Sequence, residues 1–113
     1  MSNIEKFKTA LEELNQIEDN SRWPAHDIKN GKNKKIRADA ERDLEYQIDI
    51  AKYVIKEYDL LTLKLGENRN DMDKGLWMSE FRKYFRDDLK EFIRLVKLKI
   101  KELEQIEKPD GVD

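Results

Sequence analysis

The sequence predicts an all-α protein: a long antiparallel helical hairpin with a shorter N-terminal helix packed alongside, forming a three-helix, coiled-coil-like bundle that self-associates. Three observations lead there. Ala, Glu, Lys, Leu and Arg make up close to half of the 113 residues, the bias of long helices and coiled coils. Apolar residues recur at three- and four-residue steps in three separate stretches. The four glycines and two prolines fall between or beyond those stretches, where helices are expected to stop. At this length the chain forms one domain, residues 1–108, with a frayed tail at 109–113.

The first helix is expected over about 3–19. Ser2 and Glu5 have the spacing of a capping box, and Ile4, Phe7, Leu11, Leu14 and Ile17 form one apolar stripe. The stripe fades at Asp19-Asn20-Ser21, and Pro24 disfavours helical geometry at Trp23. Residues 20–35 therefore read as a polar connector, basic through Lys29, Lys32, Lys34 and Lys35 and turning at Asn30-Gly31.

The second helix is expected over about 36–65, with Gly66 as its C-cap. Ala40, Leu44, Ile48, Ala51, Ile55 and Tyr58 share one face at 100° per residue. Tyr46, Tyr53 and Leu60 follow one another at seven-residue spacing on the opposite face, with Ile50 beside them. A helix with two apolar faces is sandwiched between neighbours. The second face is then either covered by the first helix or free to meet another subunit.

Residues 66–75 read as a polar loop. They fail as a calcium loop, because aligning Gly75 with the invariant glycine puts Met72 and Lys74 at ligand positions. The third helix is expected over about 76–107, stopped by Pro109. Its stripe is Phe81, Phe85, Leu89, Phe92, Val96, Leu103 and Ile106, interrupted by Asp88 and Lys99. These two polar residues either sit at wet points of the seam or fix its register. With three helices leaving part of the seam open, a homo-oligomer is the simplest closed arrangement.

Composition removes several function classes. With no cysteine there is no disulfide, thiolate zinc site or Cys nucleophile, and one histidine admits no histidine-cluster metal site. His26 reads as a solvated loop residue. Glu104 and Glu107 supply only half of the paired acidic motif of a magnesium-dependent helical hydrolase. No catalytic residue, cofactor or metal ligand is therefore assigned. No apolar run has the length of a membrane span, so a cytoplasmic protein without a membrane partner is expected.

Charge says more. Lys and Arg total 23 against 25 Asp and Glu, for a net −2, yet the signs are sorted along the chain. Residues 22–42 carry +4 and 81–101 carry +5, between acidic blocks. On the third helix Lys83, Arg86, Lys90, Arg94, Lys97 and Lys101 fall on one line, although like charges at i,i+4 cost a helix roughly 0.2–0.5 kcal/mol per pair. An acidic protein surface, a nucleic-acid backbone or plain solvent would offset that cost. The leading expectation is a non-enzymatic adaptor, inhibitor or assembly factor acting through protein–protein contact and self-association. Tyr46, Ile50, Tyr53 and Leu60 are its candidate interface. The alternative is a sequence-tolerant nucleic-acid binder using the basic line.

Overall fold

The computed structural model describes residues 3–66 and 70–107, and every regular element among them is helical. The order is α1 (Asn3–Asn30), α2 (Lys34–Glu57), α3 (Leu61–Leu65), α4 (Asp71–Glu80), a 3₁₀ turn (Phe81–Tyr84) and α5 (Phe85–Glu107). The all-α expectation holds. Ser2 of the expected capping box, and the tail with Pro109, lie outside the described residues.

The first correction concerns residues 20–30, which are helical and not a connector. α1 runs straight through Pro24. Proline deletes one backbone donor and crowds the preceding turn, but packing outweighs that cost. Ser21 is fully buried, and Pro24, Ala25 and Ile28 are half-buried on the same side as Leu14 and Ile17. α1 is thus a 28-residue rod, about 42 Å long at 1.5 Å per residue.

Only Gly31–Asn33 separate α1 from α2, which forces α2 back along α1. Asn33 caps α2 by accepting from the Ile36 N–H at 2.9 Å. The Gly31 N–H donates to the Asp27 carbonyl at 2.7 Å. A Cβ at Gly31 would stand 2.5 Å from that same backbone oxygen, so the turn needs glycine for close approach.

The expected helix 36–65 is two helices. The Asp59 N–H bonds to the Lys56 carbonyl and the Leu60 N–H to the Ile55 carbonyl, the paired bonds of a Schellman cap. Asp59 takes the left-handed position at φ 52°, and Leu60 and Ile55, the residues that such a cap brings together, are both fully buried. The break rotates Leu60 off the outer face of α2 and into the core. Residues 71–75, expected as loop, open α4: the Asn70 side chain accepts from the Asp73 N–H at 2.8 Å. The expected helix 76–107 is likewise divided, by the 3₁₀ turn.

The helix directions also differ from the expected hairpin. α5 runs antiparallel to α1, since Arg86 meets Glu18 and Ser21 while Lys99 lies beside Lys6 and Phe7. α2 and α5 therefore point the same way, and α1 is the antiparallel partner of both. The core gathers Leu14 and Ile17 of α1, Ala51 and Ile55 of α2, and Leu89, Phe92 and Val96 of α5. Trp77 and Phe81 lie 5.4 Å apart between ring centres and nearly parallel, and Phe92 meets Trp77 edge-on at 5.4 Å. The molecule measures 61 × 33 × 20 Å.

Two substitutions test these turns by urea unfolding. Gly31→Ala is expected to cost about 1–3 kcal/mol, because its Cβ collides with backbone. Asp59→Ala is expected to cost about 1 kcal/mol, because alanine is no better suited to a left-handed cap and the bond from Thr62 Oγ1 to Asp59 Oδ2 (2.9 Å) is lost. An unchanged midpoint for both variants would refute this account of the two chain reversals.

Candidate functional site

The basic line on α5 is not one uniform surface. Arg86 stands at the edge of the apolar face, and its guanidinium turns inward onto α1. Nη1 donates to Ser21 Oγ at 2.5 Å and to the Glu18 carbonyl at 3.1 Å, and Nη2 donates to Glu18 Oε1 at 3.2 Å. Three contacts from one planar fork suit arginine and not lysine. Glu18 is also held by Arg22 Nη2 at 2.9 Å. The Arg22 hydrogen bond, with Arg86 adding to it, holds the Glu18 carboxyl below its ordinary range despite the opposing effect of burial. Arg94 lies 3.7 Å from Glu91. Lys83, Lys90, Lys97 and Lys101 remain exposed.

Asp88, one of the two polar breaks in the apolar stripe, faces Lys64 of α3 at 3.8 Å, and the same ammonium lies 2.9 Å from Glu91. It also sits 5.5 Å from the Trp77 ring centre and 5.9 Å from that of Phe92. Lys64 is thus a largely buried cation tying α3 to α5 and to the aromatic cluster. Burial still raises the Asp88 carboxyl above its ordinary range, while Lys64 lowers that of Glu91. Lys99, the second break, stays near the surface and reaches Glu102 at 3.5 Å.

The candidate interface on α2 divides. Tyr46 and Tyr53 are each 66% exposed on the outward side, and α1 does not cover them. Ile50 is half-buried against the core. Leu60 is 0% exposed and leaves the interface for the reason given by the Schellman cap. Trp23, read from the sequence as a loop residue, projects outward from α1 at 72% exposure and meets His26 edge-on at 5.6 Å.

Among the described residues no group of three His, Asp or Glu side chains is placed to hold a metal ion, and no helix is long and apolar enough to cross a membrane. A shallow hollow lies between the end of α2 and α4, lined by Ile55, Lys56, Asp59, Lys74 and Met78. Its Lys74 and Asp59 pair at 3.5 Å. Of the half-motif of a helical hydrolase, Glu104 is exposed near the end of α5, and the side chain of Glu107 lies outside the described residues. Searches of protein-family models, curated proteins and solved structures found no match to this chain.

The Arg86 contacts carry two predictions. Arg86→Ala is expected to cost about 2 kcal/mol in chemical unfolding, since the buried Ser21 oxygen loses its donor, keeping only its own bond to the Glu18 carbonyl (3.0 Å), and the Glu18 carboxylate loses one of its two arginines. Arg86→Lys should recover only a fraction of that. Because the folded Glu18 carboxyl titrates lower than the unfolded one, its contribution is present above the unfolded carboxylate range and disappears as pH falls through the folded value. Glu18→Gln should therefore flatten the loss of Tm on acidification below about pH 5. An acid limb identical to that of the parent would contradict the assignment.

Proposed function

We propose that this chain is a non-enzymatic helical binding protein that works through protein–protein contact on the outward face of α2, with a second copy of itself as one partner. The observation carrying this reading is the pair Tyr46 and Tyr53. They stand seven residues apart on one face, about 10 Å along the axis, and both are two-thirds exposed. Tyrosine supplies large contact area at small entropic cost and is enriched where interfaces concentrate their energy. Charges surround the pair in both signs, Arg42 and Asp39 (paired at 3.0 Å) towards one end and Lys56 and Glu57 towards the other. A polar rim around aromatic anchors is the anatomy of a non-obligate contact. No stability argument requires two exposed phenols there, because neither contributes to the core.

Light scattering over a concentration series tests the reading. The parent chain should exceed its 13.6 kDa monomer mass as concentration rises. Tyr46→Glu with Tyr53→Glu should weaken that association at least ten-fold while leaving the helical circular dichroism, and the Tm measured at dilutions where the parent is monomeric, unchanged. A parent that stays monomeric at all concentrations removes self-association. A double variant that associates normally removes the tyrosine face.

A further inference from the structure

No acidic residue stands between Asp27 and Asp39, and five cations do: Lys29, Lys32, Lys34, Lys35 and Arg37. The fold gathers them at one end of the molecule, on the last turn of α1, the Gly31–Asn33 turn and the start of α2. Residues 32–39 are all exposed. The two flanking acids are directed elsewhere, Asp27 to His26 at 3.3 Å and Asp39 to Arg42 at 3.0 Å. Arg37 donates to the Gly31 carbonyl at 3.0 Å. Among the described residues the four lysines have no carboxylate partner.

This arrangement opposes itself. Lys34 and Lys35 occupy the first turn of a 24-residue helix that holds no acid in that turn, where the peptide dipoles already present positive charge. The α5 line relieves part of its repulsion internally, through Arg86 on Glu18 and Arg94 on Glu91. The tip has no such internal carboxylate partner, which leaves its positive charge open to an anion from outside.

Trp23 narrows the kind of anion. Its ring stands six residues before Lys29, about 9 Å along α1. The residues one turn away on its own helix are polar: Asp19, Asn20, His26 and Asp27. A tryptophan anchoring a protein interface sits in an apolar surround that excludes water, which is missing here. A nucleobase needs only an open ring face to stack on. Ile36 is the other exposed large apolar side chain at this end, too little to hold a bilayer.

We propose that the α1–α2 tip binds single-stranded nucleic acid without sequence preference, its lysines and Arg37 neutralising phosphates while Trp23 stacks a base. This goes beyond the tyrosine-face reading and uses a different surface.

Fluorescence anisotropy of the full chain with labelled oligo(dT) and oligo(U) of about 20 nucleotides, titrated over a range of salt, tests it. Neutralising five phosphates predicts a log–log salt slope of about −3.5 on a single strand. Changing Lys29, Lys32, Lys34 and Lys35 together to Gln should weaken binding more than ten-fold and bring the slope to about −1. Trp23→Ala should weaken it about ten-fold with the slope unchanged, because stacking releases no counterions. Circular dichroism confirms folding of each variant. Changing Lys83, Lys90, Lys97 and Lys101 to Gln, or Tyr46 and Tyr53 to Glu, should leave binding intact, so the fate of the tyrosine face is read separately.

The proposal is overturned by absence of binding at low salt, or by loss of binding in the α5 variant but not the tip variant. Tighter binding to polyglutamate or to phosphatidylserine vesicles than to either oligonucleotide overturns it as well.

Discussion

The placement of α1 between α2 and α5 is the constraint on which the rest of the structure depends, and the contact of Arg86 with α1 shows how it is kept. A helix carrying proline at position 24 is expected to end near there. It continues because residues 21–28 still have something to pack against. Just before the proline, Arg86 of α5 bonds to the Glu18 carbonyl, the Ser21 hydroxyl and the Glu18 carboxylate at once. If α1 had stopped at residue 19, α2 would lose the rod it folds back along. The hairpin end with its basic cluster would not exist.

That contact also decides what the charges of α5 are for. In the sequence six cations form one line whose repulsion an acidic protein, a nucleic-acid backbone or plain solvent could offset. In the fold the line is split between side chains used inside the protein and side chains left in solvent. Arg86 is used to hold α1, Arg94 has Glu91 nearby, and the lysines stand in solvent. Sorted charge in a chain of net −2 is therefore partly structural. The block 22–42 differs because its flanking acids are turned to other partners and its lysines have none. The longest run of cations uninterrupted by an acid, five between Asp27 and Asp39, stands at the hairpin end.

Much of the core was legible from spacing alone. Leu14 and Ile17, Ala51 and Ile55, and Phe85, Leu89, Phe92 and Val96 all lie where their three- and four-residue periods place them, because burial acts on every turn of a helix. The breaks were less legible. A Schellman cap normally shows itself by glycine, whereas Asp59 fills that position while Leu61 and Leu65 carry the apolar pattern onward. Leu60 consequently looked like an outer-face residue. Asn70 was readable as a cap only once residues 71–75 were known to be helical. One signal for the Arg86 contact was present but weak: Ser21 stands four residues after Ile17, so the α1 stripe continues through a small polar residue. The hydroxyl donates to the Glu18 carbonyl of its own helix at 3.0 Å, so its burial alone does not announce a partner from another helix. Lys64 gave no sequence signal, since its partners lie a full element away.

The two proposed surfaces share a helix, and that sharing has a physical consequence. The basic cluster covers the start of α2, while Tyr46 and Tyr53 sit further along its outward side, one and then three turns past Arg42. Two copies joined through their tyrosines would hold their α2 helices side by side. Antiparallel pairing sends the two basic ends in opposite directions, whereas parallel pairing brings them together and sums their repulsion. At low ionic strength the repulsion between the clusters is poorly screened, so the antiparallel pairing is favoured unless a polyanion bridges the clusters. A bound strand would reverse that preference by neutralising both ends. On the two proposals together, self-association and anion binding on this helix would be thermodynamically linked through the orientation of the pair, and linkage of that kind acts equally in both directions.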